Sequence, residues 1–321
     1  LDATVVVPTF NKIATLLRTL EGLGSQDCVG AFEVVVVDDA STDGTSEALG
    51  RMSPPYQLTT VRHDCNRGRA AARNSGIRAA RGRLIVFLDD DMEAAAGLVS
   101  AHISAHAGGD KLAVVGNVRT HPRANHSAVA RYLDTRGAQK IRSGGDLPFK
   151  YFSTNNSSVP RRDLESVGLF DEAFAAYGFE DVEIAARLAS NLGVRFIYCE
   201  EAESLHLHKH TLEDLLEKKV LAGRSSLRLL LRKHPKLWPD LGLEILESAR
   251  PFRESPALTA RKTLFRILDA VGFHAVAEMI VRDSTFYRLT NCLMDFLVVR
   301  SYWIGMGRPG GREAVDPPQS L

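Results

Sequence analysis

The run "FEVVVVDD", residues 32 to 39, sets four consecutive valines between an aromatic pair-mate and two aspartates. Side chains of a strand alternate between its faces, so β-branched residues in an unbroken row make both faces apolar, and such a strand must be covered on both sides. A parallel sheet with helices on each face meets that condition, and the neighbouring sequence has the matching rhythm. "ATVVVP" reads as a preceding strand, followed by "IATLLRTLEGLG", whose Leu16, Leu17, Leu20 and Leu23 recur at helical spacing. "STDGTSEAL" opens a helix through a Ser/Thr/Asp turn, and "YQLTTVRH" is a third strand. "RAAARNSGIRAARG" is an Ala-rich helix expected to stop at Gly82, and "RLIVFL" is a fourth strand. The expected fold class is α/β, built on a mostly parallel, Rossmann-like sheet.

From about 110 to 210 the pattern is less regular. Strands are expected near "KLAVVGNV" and "KYFSTNNSSVP", helices over "RRDLESVG" and "EDVEIAARLASNLG", and a strand over "VRFIYCEEA" that leads into histidines. After Thr211 the sequence turns helical and leucine-rich, with interleaved Arg and Lys. The predicted organisation is therefore an α/β domain over 1–210, a helical extension over 211–305 and a Gly/Pro-rich tail over 306–321 with the composition of a disordered segment. Within the extension, "RSSLRLLLRKHPK" suits peripheral contact with an anionic membrane surface or a polymeric acceptor, and equally a helix with a solvated face, which is the commoner case.

Charge and cysteine content bound the partners. Forty Lys and Arg against 39 Asp and Glu give a net charge of +1, so nothing global points to nucleic acid. Cys28, Cys65, Cys199 and Cys292 are scattered, without metal-ligand spacing or a disulfide framework, and are read as the reduced thiols of a cytoplasmic protein. The first residues enter a strand-like run at once, leaving no room for a signal segment, and "CLMDFLVV" is too short and too interrupted for a membrane span.

"RLIVFLDDDM" ends its strand in Asp89, Asp90 and Asp91. That is the edge at which open α/β sheets bind ligands. On an alternating strand end Asp89 and Asp91 point one way and Asp90 the other, and such a carboxylate pair suits Mg²⁺ or Mn²⁺ that also holds substrate phosphates. A turn in which one aspartate caps a helix beginning near "EAAAGLV" fits the triplet equally well. Asp38 and Asp39 close the "VVVV" strand, where a carboxylate can accept from a ribose hydroxyl or a base N–H, and where a capped turn is the bland reading. The chain contains neither a G-x-G-x-x-G after its first strand nor a G-x-x-x-x-G-K-[ST] anywhere, which argues against a nicotinamide site and a P-loop.

Four segments, "VVVPTFNK", "VVVVDDASTDGT", "NRGRAAARNSGIRAARGRLIVFLDDDM" and "YGFEDVEIAARL", occur in the order and at about the spacing of the family 2 glycosyltransferases, which this sequence resembles over roughly its first 210 residues. "FDEAFAAYGFEDVEIAARL" is similar to the acceptor-side motif of chondroitin polymerase and galactosyltransferase-like members. The resemblance implies a GT-A fold and a metal-dependent, inverting transfer of a sugar from a nucleoside diphosphate, UDP by default, to a hydroxyl of a glycan, lipid-linked, natural-product or peptide acceptor. It implies a nucleotide role for Pro8, Thr9 and Asp39, and places Gly68, Arg73 and Asn74 in the family's G-x-x-x-A-R-N stretch near the nucleotide. Asp89 and Asp91 fall on its D-x-D motif, the first near ribose or metal-bound water and the second on the metal. Asp90 becomes a spacer in the donor site, one whose replacement by Ala or Ser is tolerated.

The resemblance further assigns Asp181 as the general base and Glu180 as an acceptor-hydroxyl contact, although acidic residues at a helix N-terminus are ordinary dipole chemistry. Glu183 and Arg187 are expected to pair along that helix or brace a loop. His206, with His208 as second choice, matches the histidine that completes the metal site, against the bland reading of surface histidines. Asn156 matches a donor-sugar or diphosphate contact, with a turn-forming Asn pair close behind. Tyr177, a candidate for stacking on a sugar, replaces the family's usual tryptophan, and Phe179 replaces a glycine. Two rivals fit worse. A sugar nucleotidyltransferase needs an early Gly-rich phosphate loop that "PTFNKIATLL" is not, and a non-catalytic binding module has no use for both Asp91 and Asp181.

Overall fold

The computed structural model describes residues 1–28, 31–109, 111–123, 127–247, 249, 254–283 and 287–307. The expected tail lies, from residue 308 onward, outside the described residues. Contacts divide the chain into two compact units, one comprising Leu1–His126, Leu133–Ala175 and Glu180–Lys209, the other Ser127–Tyr132, Ala176–Phe179 and His210–Leu321.

In chain order the elements up to Thr120 are β1 (Ala3–Thr9), α1 (Ile13–Gly24), β2 (Phe32–Asp38), α2 (Thr45–Gly50), β3 (Gln57–Arg62), α3 (Arg69–Ala79), β4 (Leu84–Leu88), β5 (Met92–Ala94), α4 (Leu98–His106) and β6 (Leu112–Thr120). They are followed by α5 (Ala128–Leu133), β7 (Asn156–Pro160), α6 (Arg161–Ser166), α7 (Glu180–Leu192) and β8 (Arg195–His206). The eight strands form one sheet in the order β3-β2-β1-β4-β7-β6-β8-β5. Strands β3, β2, β1 and β4 run parallel, as do β6 and β8, whereas β7 is antiparallel to both its neighbours and β5 to β8.

The valine run explains how this sheet is covered. All seven residues of β2 are buried. Val34 and Val36 join Leu16, Leu20 and Leu23 of α1 in one apolar cluster, while Val35 and Val37 pack with Ala72 of α3 in another. The helical stripe of α1 is narrower than its leucines suggest, because Leu17 is exposed. Helix α3 is Ala-rich for a steric reason: it lies so close to β1 and β2 that a Cβ at Gly76 would collide with the Val6 side chain.

Helix α3 ends at Ala79, short of Gly82, because Ala80 turns extended and the Arg81 N–H donates to buried Glu33 at 2.7 Å. Thr4 Oγ1 donates to the same carboxylate at 2.8 Å and accepts from Gly82 N–H at 2.9 Å. Gly82 is therefore needed for approach rather than as a helix stop, since a Cβ there would overlap the Ala3–Thr4 backbone.

The second unit is helical: α8 (Leu212–Arg224), α9 (Ser226–Lys233), α10 (Trp238–Leu241), α11 (Pro256–Ala270), α12 (Phe273–Asp283) and α13 (Tyr287–Gly305). Thr211 caps α8 by accepting from Asp214 N–H at 3.1 Å, and Ser255 caps α11 from Leu258 N–H at 3.2 Å with Pro256 in its first turn. Gly223 and Gly305 let α8 and α13 cross in backbone contact. In "RSSLRLLLRKHPK", Leu227 and Leu230 are buried in the unit while Arg228, Arg232 and Lys233 are exposed, the arrangement of a helix with a solvated basic face. Among the described residues no helix is long and apolar enough to cross a membrane.

Replacing Gly82 by Ala is expected to lower the unfolding free energy by about 1–3 kcal/mol, because the new Cβ meets backbone and cannot be relieved by a rotamer change. The check is the urea midpoint at unchanged m-value.

Candidate active site

The three aspartates form a turn between two strands. Strand β4 stops at Leu88, the Asp89 carbonyl accepts from Met92 N–H at 3.3 Å, and β5 starts at Met92 paired with His206 of β8. Leu207 N–H donates to the Asp91 carbonyl at 2.8 Å, so the two chain segments are fastened side by side. Both sequence expectations about the triplet are corrected. It caps no helix, since α4 begins only at Leu98, and its side chains do not alternate, because a turn has no two-residue period. Asp89 reaches Arg73 at 3.1 Å, whereas Asp90 and Asp91 both reach Lys12, at 3.3 and 2.8 Å.

Asp90 is not a spacer. It is buried, accepts from Thr9 Oγ1 at 2.7 Å and faces the Lys12 ammonium. Burial pushes its carboxyl up to about 6, with Lys12 opposing and Asp91 adding to the rise. Asp91 goes the other way: burial alone would raise it, but the His206 hydrogen bond and charge, with Lys12, hold it well below the usual carboxylate range. His206 Nε2 lies 3.3 Å from Asp91 Oδ1. The His208 ring is 6.1 Å from that of His206 and lines a cleft of about 270 Å³ that opens on Lys12 and Asp91. His206 is brought onto Asp91, and β8 ends at His206, so His208 and His210 do not continue a strand face. Lys12 is the residue that sequence reasoning passed over, although "PTFNK" ends in it.

A second acidic group converges on Arg73, whose side chain is 2% exposed. One of its nitrogens lies 2.9 Å from Glu180 Oε1 and another 3.1 Å from Asp89 Oδ1, joining α7 to the aspartate turn. The other oxygen of Glu180, Oε2, is buried without a hydrogen-bond partner. Asp181 is half-buried and accepts from Val182 N–H at 2.8 Å. Burial and the neighbouring Glu180 charge push its carboxyl up to about 7, with Arg73 opposing. Arg187 pairs with Glu183 at 2.6 Å and donates to the Leu169 carbonyl at 2.7 Å, and so serves both as helix partner and as loop brace.

The other candidates divide. Asp39 is buried and accepts from His63 Nδ1 at 2.6 Å and from the N–H groups of Arg67 and Gly68, each at 2.9 Å. Gly68 takes φ +85°, open to glycine, and precedes α3. Asn74 clamps the loop ahead of α7 by donating to the Phe170 carbonyl and accepting from its N–H, both at 2.9 Å. Pro8 is partly exposed at the end of β1, but Thr9 is buried with its hydroxyl donated to Asp90, which corrects its expected contact with the base. Asn156 is also corrected. It is fully buried, its amide nitrogen lies within 3.3 Å of Ala202 O, Ser204 Oγ and Asn117 O, and its oxygen is 2.8 Å from His102 Nε2, leaving nothing for a donor sugar.

Tyr177 and Phe179 belong to the second unit. Lys218 Nζ lies 5.9 Å from the Tyr177 ring centroid, and the Tyr177 carbonyl accepts from Ser226 Oγ at 3.0 Å. Phe179 takes φ +68°, a conformation that favours glycine, and its ring packs 5.7 Å from Tyr302.

Among the described residues no set of three or more His, Cys, Asp and Glu is arranged to hold a metal. The donor set of Asp91 and His206 nevertheless fits a divalent ion that takes its remaining ligands from substrate phosphates and water. One carboxylate oxygen and one imidazole nitrogen suit Mn²⁺ better than Mg²⁺, which prefers an all-oxygen shell.

The model of the family "Glycosyl transferase family 2" matches residues 4–168. A validoxylamine A glucosyltransferase of Streptomyces hygroscopicus subsp. jinggangensis is 33% identical over 74% of this chain and 62% of its own length. The chondroitin synthase of Escherichia coli is 26% identical over 86% of this chain and 45% of its own. The chain spans less than two thirds of the length of the first curated relatives it matches. Among solved structures, the mannosyltransferase PcManGT from Pyrobaculum calidifontis, in complex with GDP-Man and Mn²⁺, superposes with a TM-score of 0.61 at 22% identity, covering 95% of this chain and 86% of that one. That likeness is one of fold, the GT-A arrangement of a mixed, mostly parallel sheet with helices.

Arg73→Met leaves Glu180 and Asp89 without their buried counter-charge and is expected to cost about 3–5 kcal/mol of stability. The double variant Arg73→Met/Glu180→Gln should recover a large part of it in the same denaturation experiment. Asp90→Ala strands Thr9 Oγ1 and is expected to cost about 1–3 kcal/mol, contrary to the tolerance that a spacer would show.

Proposed function

Given that the chain belongs to glycosyl transferase family 2, we propose that it moves a sugar from a nucleoside-diphosphate sugar to an acceptor hydroxyl by a metal-assisted single displacement that inverts the anomeric centre. The observation that carries the reading is the Arg73 bridge, which ties a donor-side carboxylate, Asp89, to the acceptor-side Glu180–Asp181 pair within one site.

Asp91 and His206 would hold the divalent cation, Mn²⁺ before Mg²⁺, and the bound ion offsets negative charge building on the departing diphosphate. Asp89, oriented by Arg73 and partly exposed, is free on one oxygen to accept from the ribose or from a metal-bound water. Asp39 has spent three of its roughly four acceptor positions on His63, Arg67 and Gly68, so its part in nucleotide recognition is one remaining lone pair. Pro8 and Gly68 are assigned to the nucleotide as well.

Asp181 is the base. Single displacement needs one carboxylate to take the acceptor proton, and a group held near neutrality by burial is ionised enough to act and basic enough to accept. Glu180, fixed by Arg73, is assigned to the acceptor hydroxyl. Tyr177 is assigned to a sugar face.

UDP is the default donor nucleotide, and GDP is the competing one, as the GDP-Man complex of the mannosyltransferase neighbour illustrates. One relative is a validoxylamine A glucosyltransferase and another a chondroitin synthase, and a natural-product or a glycan hydroxyl presented to Asp181 suits this reading. The basic face of α9 suits an anionic glycan acceptor or an anionic lipid surface.

Transfer is measured across a nucleotide-sugar panel with Mn²⁺. Asp91→Ala, checked by circular dichroism as folded, is expected to abolish metal-dependent transfer, and retained activity sinks the metal role. Asp181→Asn is expected to lower kcat by roughly 10²–10⁴-fold. In the wild type a protonated Asp181 cannot accept, so kcat should rise as pH passes through about 7; an unchanged pH profile in the Asp181→Asn variant would count against this base.

A further inference from the structure

Lys12 stands at the corner between β1 and α1, with its backbone held by neighbouring hydrogen bonds and its side chain held by two carboxylates. The Asn11 N–H donates to Ser41 Oγ at 2.9 Å, Asn11 Oδ1 accepts from Thr42 N–H at 2.8 Å, and Ile13 N–H donates to Asp43 Oδ2 at 2.9 Å. Asn11 itself takes φ +52°. The backbone of Lys12 is thus pinned to the Ser41–Asp43 loop, and its carbonyl starts α1 by accepting from Leu16 N–H at 3.0 Å. Its side chain is 42% exposed, with Nζ 2.8 Å from Asp91 Oδ2 and 3.3 Å from Asp90 Oδ1.

A divalent cation on Asp91 and this ammonium compete for one carboxylate. A cation can engage Asp91 fully only if Lys12 leaves, and a flexible four-carbon stem on a fixed backbone can leave without disturbing the fold. Departure gives up the ion pairs with Asp90 and Asp91, a loss that a bound anion offsets more fully than water does. The cleft of about 270 Å³ that opens on both Lys12 and Asp91 is where an anionic group would meet that ammonium.

We propose that Lys12 is a tethered internal counter-ion that holds Asp91 until a nucleoside diphosphate draws it away, so that the divalent cation binds weakly alone and tightly together with the diphosphate. The inference rests on the reading of Asp91 as a metal ligand. It makes Lys12 a positioning residue that couples cation to donor, and the coupling is reciprocal: the nucleotide strengthens metal binding by the factor by which the metal strengthens nucleotide binding.

The test titrates Mn²⁺ against the full chain by electron paramagnetic resonance, alone and with UDP or GDP, in wild type, Lys12→Met, Lys12→Arg and Asp91→Asn. Lys12→Met is expected to bind Mn²⁺ about tenfold or more tightly without nucleotide, and to lose most of the strengthening that the diphosphate gives. Lys12→Arg keeps the charge and should keep the wild-type pattern. Unchanged or weaker nucleotide-free Mn²⁺ binding in Lys12→Met, while Asp91→Asn abolishes binding, overturns the Lys12 proposal and leaves the metal role of Asp91 standing. Equal binding in Asp91→Asn and wild type overturns both. Should Lys12→Met fold poorly, Lys12→Gln is read in the same way.

Discussion

Arg73 is the interaction on which the site depends. It projects from the middle of α3, is buried, and spreads one guanidinium between Asp89 of the aspartate turn and Glu180 at the start of α7. Three carboxylates, Asp89, Glu180 and Asp181, face a single cation in low dielectric. Asp89 and Glu180 are each paired with it directly, whereas burial and the neighbouring Glu180 charge push the Asp181 carboxyl up. A raised carboxyl is therefore a by-product of how Arg73 is shared: the guanidinium fixes two carboxylates in place, and burial acts on the third. The G-x-x-x-A-R-N stretch acquires a physical meaning here. Gly68 supplies the positive φ before the helix, Arg73 the bridge, and Asn74 the clamp on the loop that leads toward α7.

The aspartate turn shows the opposite solution. Asp91 has His206 on one oxygen and Lys12 on the other, and stays ionised despite burial. Asp90, one residue away, shares Lys12 but otherwise has only the Thr9 hydroxyl, and burial raises it. Adjacent residues of one type thus carry different charge tendencies because their partners come from different elements: β1 for Asp90, the start of α1 and the end of β8 for Asp91.

Much of this was legible in the sequence, and the failures have physical causes. The valine run dictated a strand covered on both faces, and β2 is one, with α1 and α3 on its two sides. The candidates Asp89, Arg73 and Glu180 come together, as do Asp91 and His206. What could not be read was direction. A strand's alternation or a helix cap is what the triplet suggests in isolation, but a turn begins at Asp89, and a turn's side-chain directions depend on pairing partners far away in sequence, here β5 with β8. Lys12 was invisible for the same reason, since it is 79 residues from Asp91. Asn156 was misread because an Asn in a polar run looks like a turn residue or a ligand contact; only the packing of β6, β7 and β8 shows its amide to be consumed by the core.

Those corrections share a criterion that separates scaffold from chemistry. A buried polar group that is saturated by protein partners is held at an energetic minimum and loses by turning to a ligand. Asn156, Thr9 and Asp38, whose carboxylate accepts from Ser41 N–H and Ser46 Oγ, are of that kind. Glu180 Oε2 and Asp181 are not: one is a buried oxygen without a donor among the described residues, the other a half-buried carboxyl that accepts from the N–H that follows it. A ligand that approached Asn156 would have to break a network already complete. The same logic orders the aspartates. Asp90 is internally committed, Asp89 pairs with Arg73 through one oxygen, and Asp91 is paired with a lysine whose side chain is 42% exposed, a partner that, unlike a core hydrogen bond, water or an anion can replace.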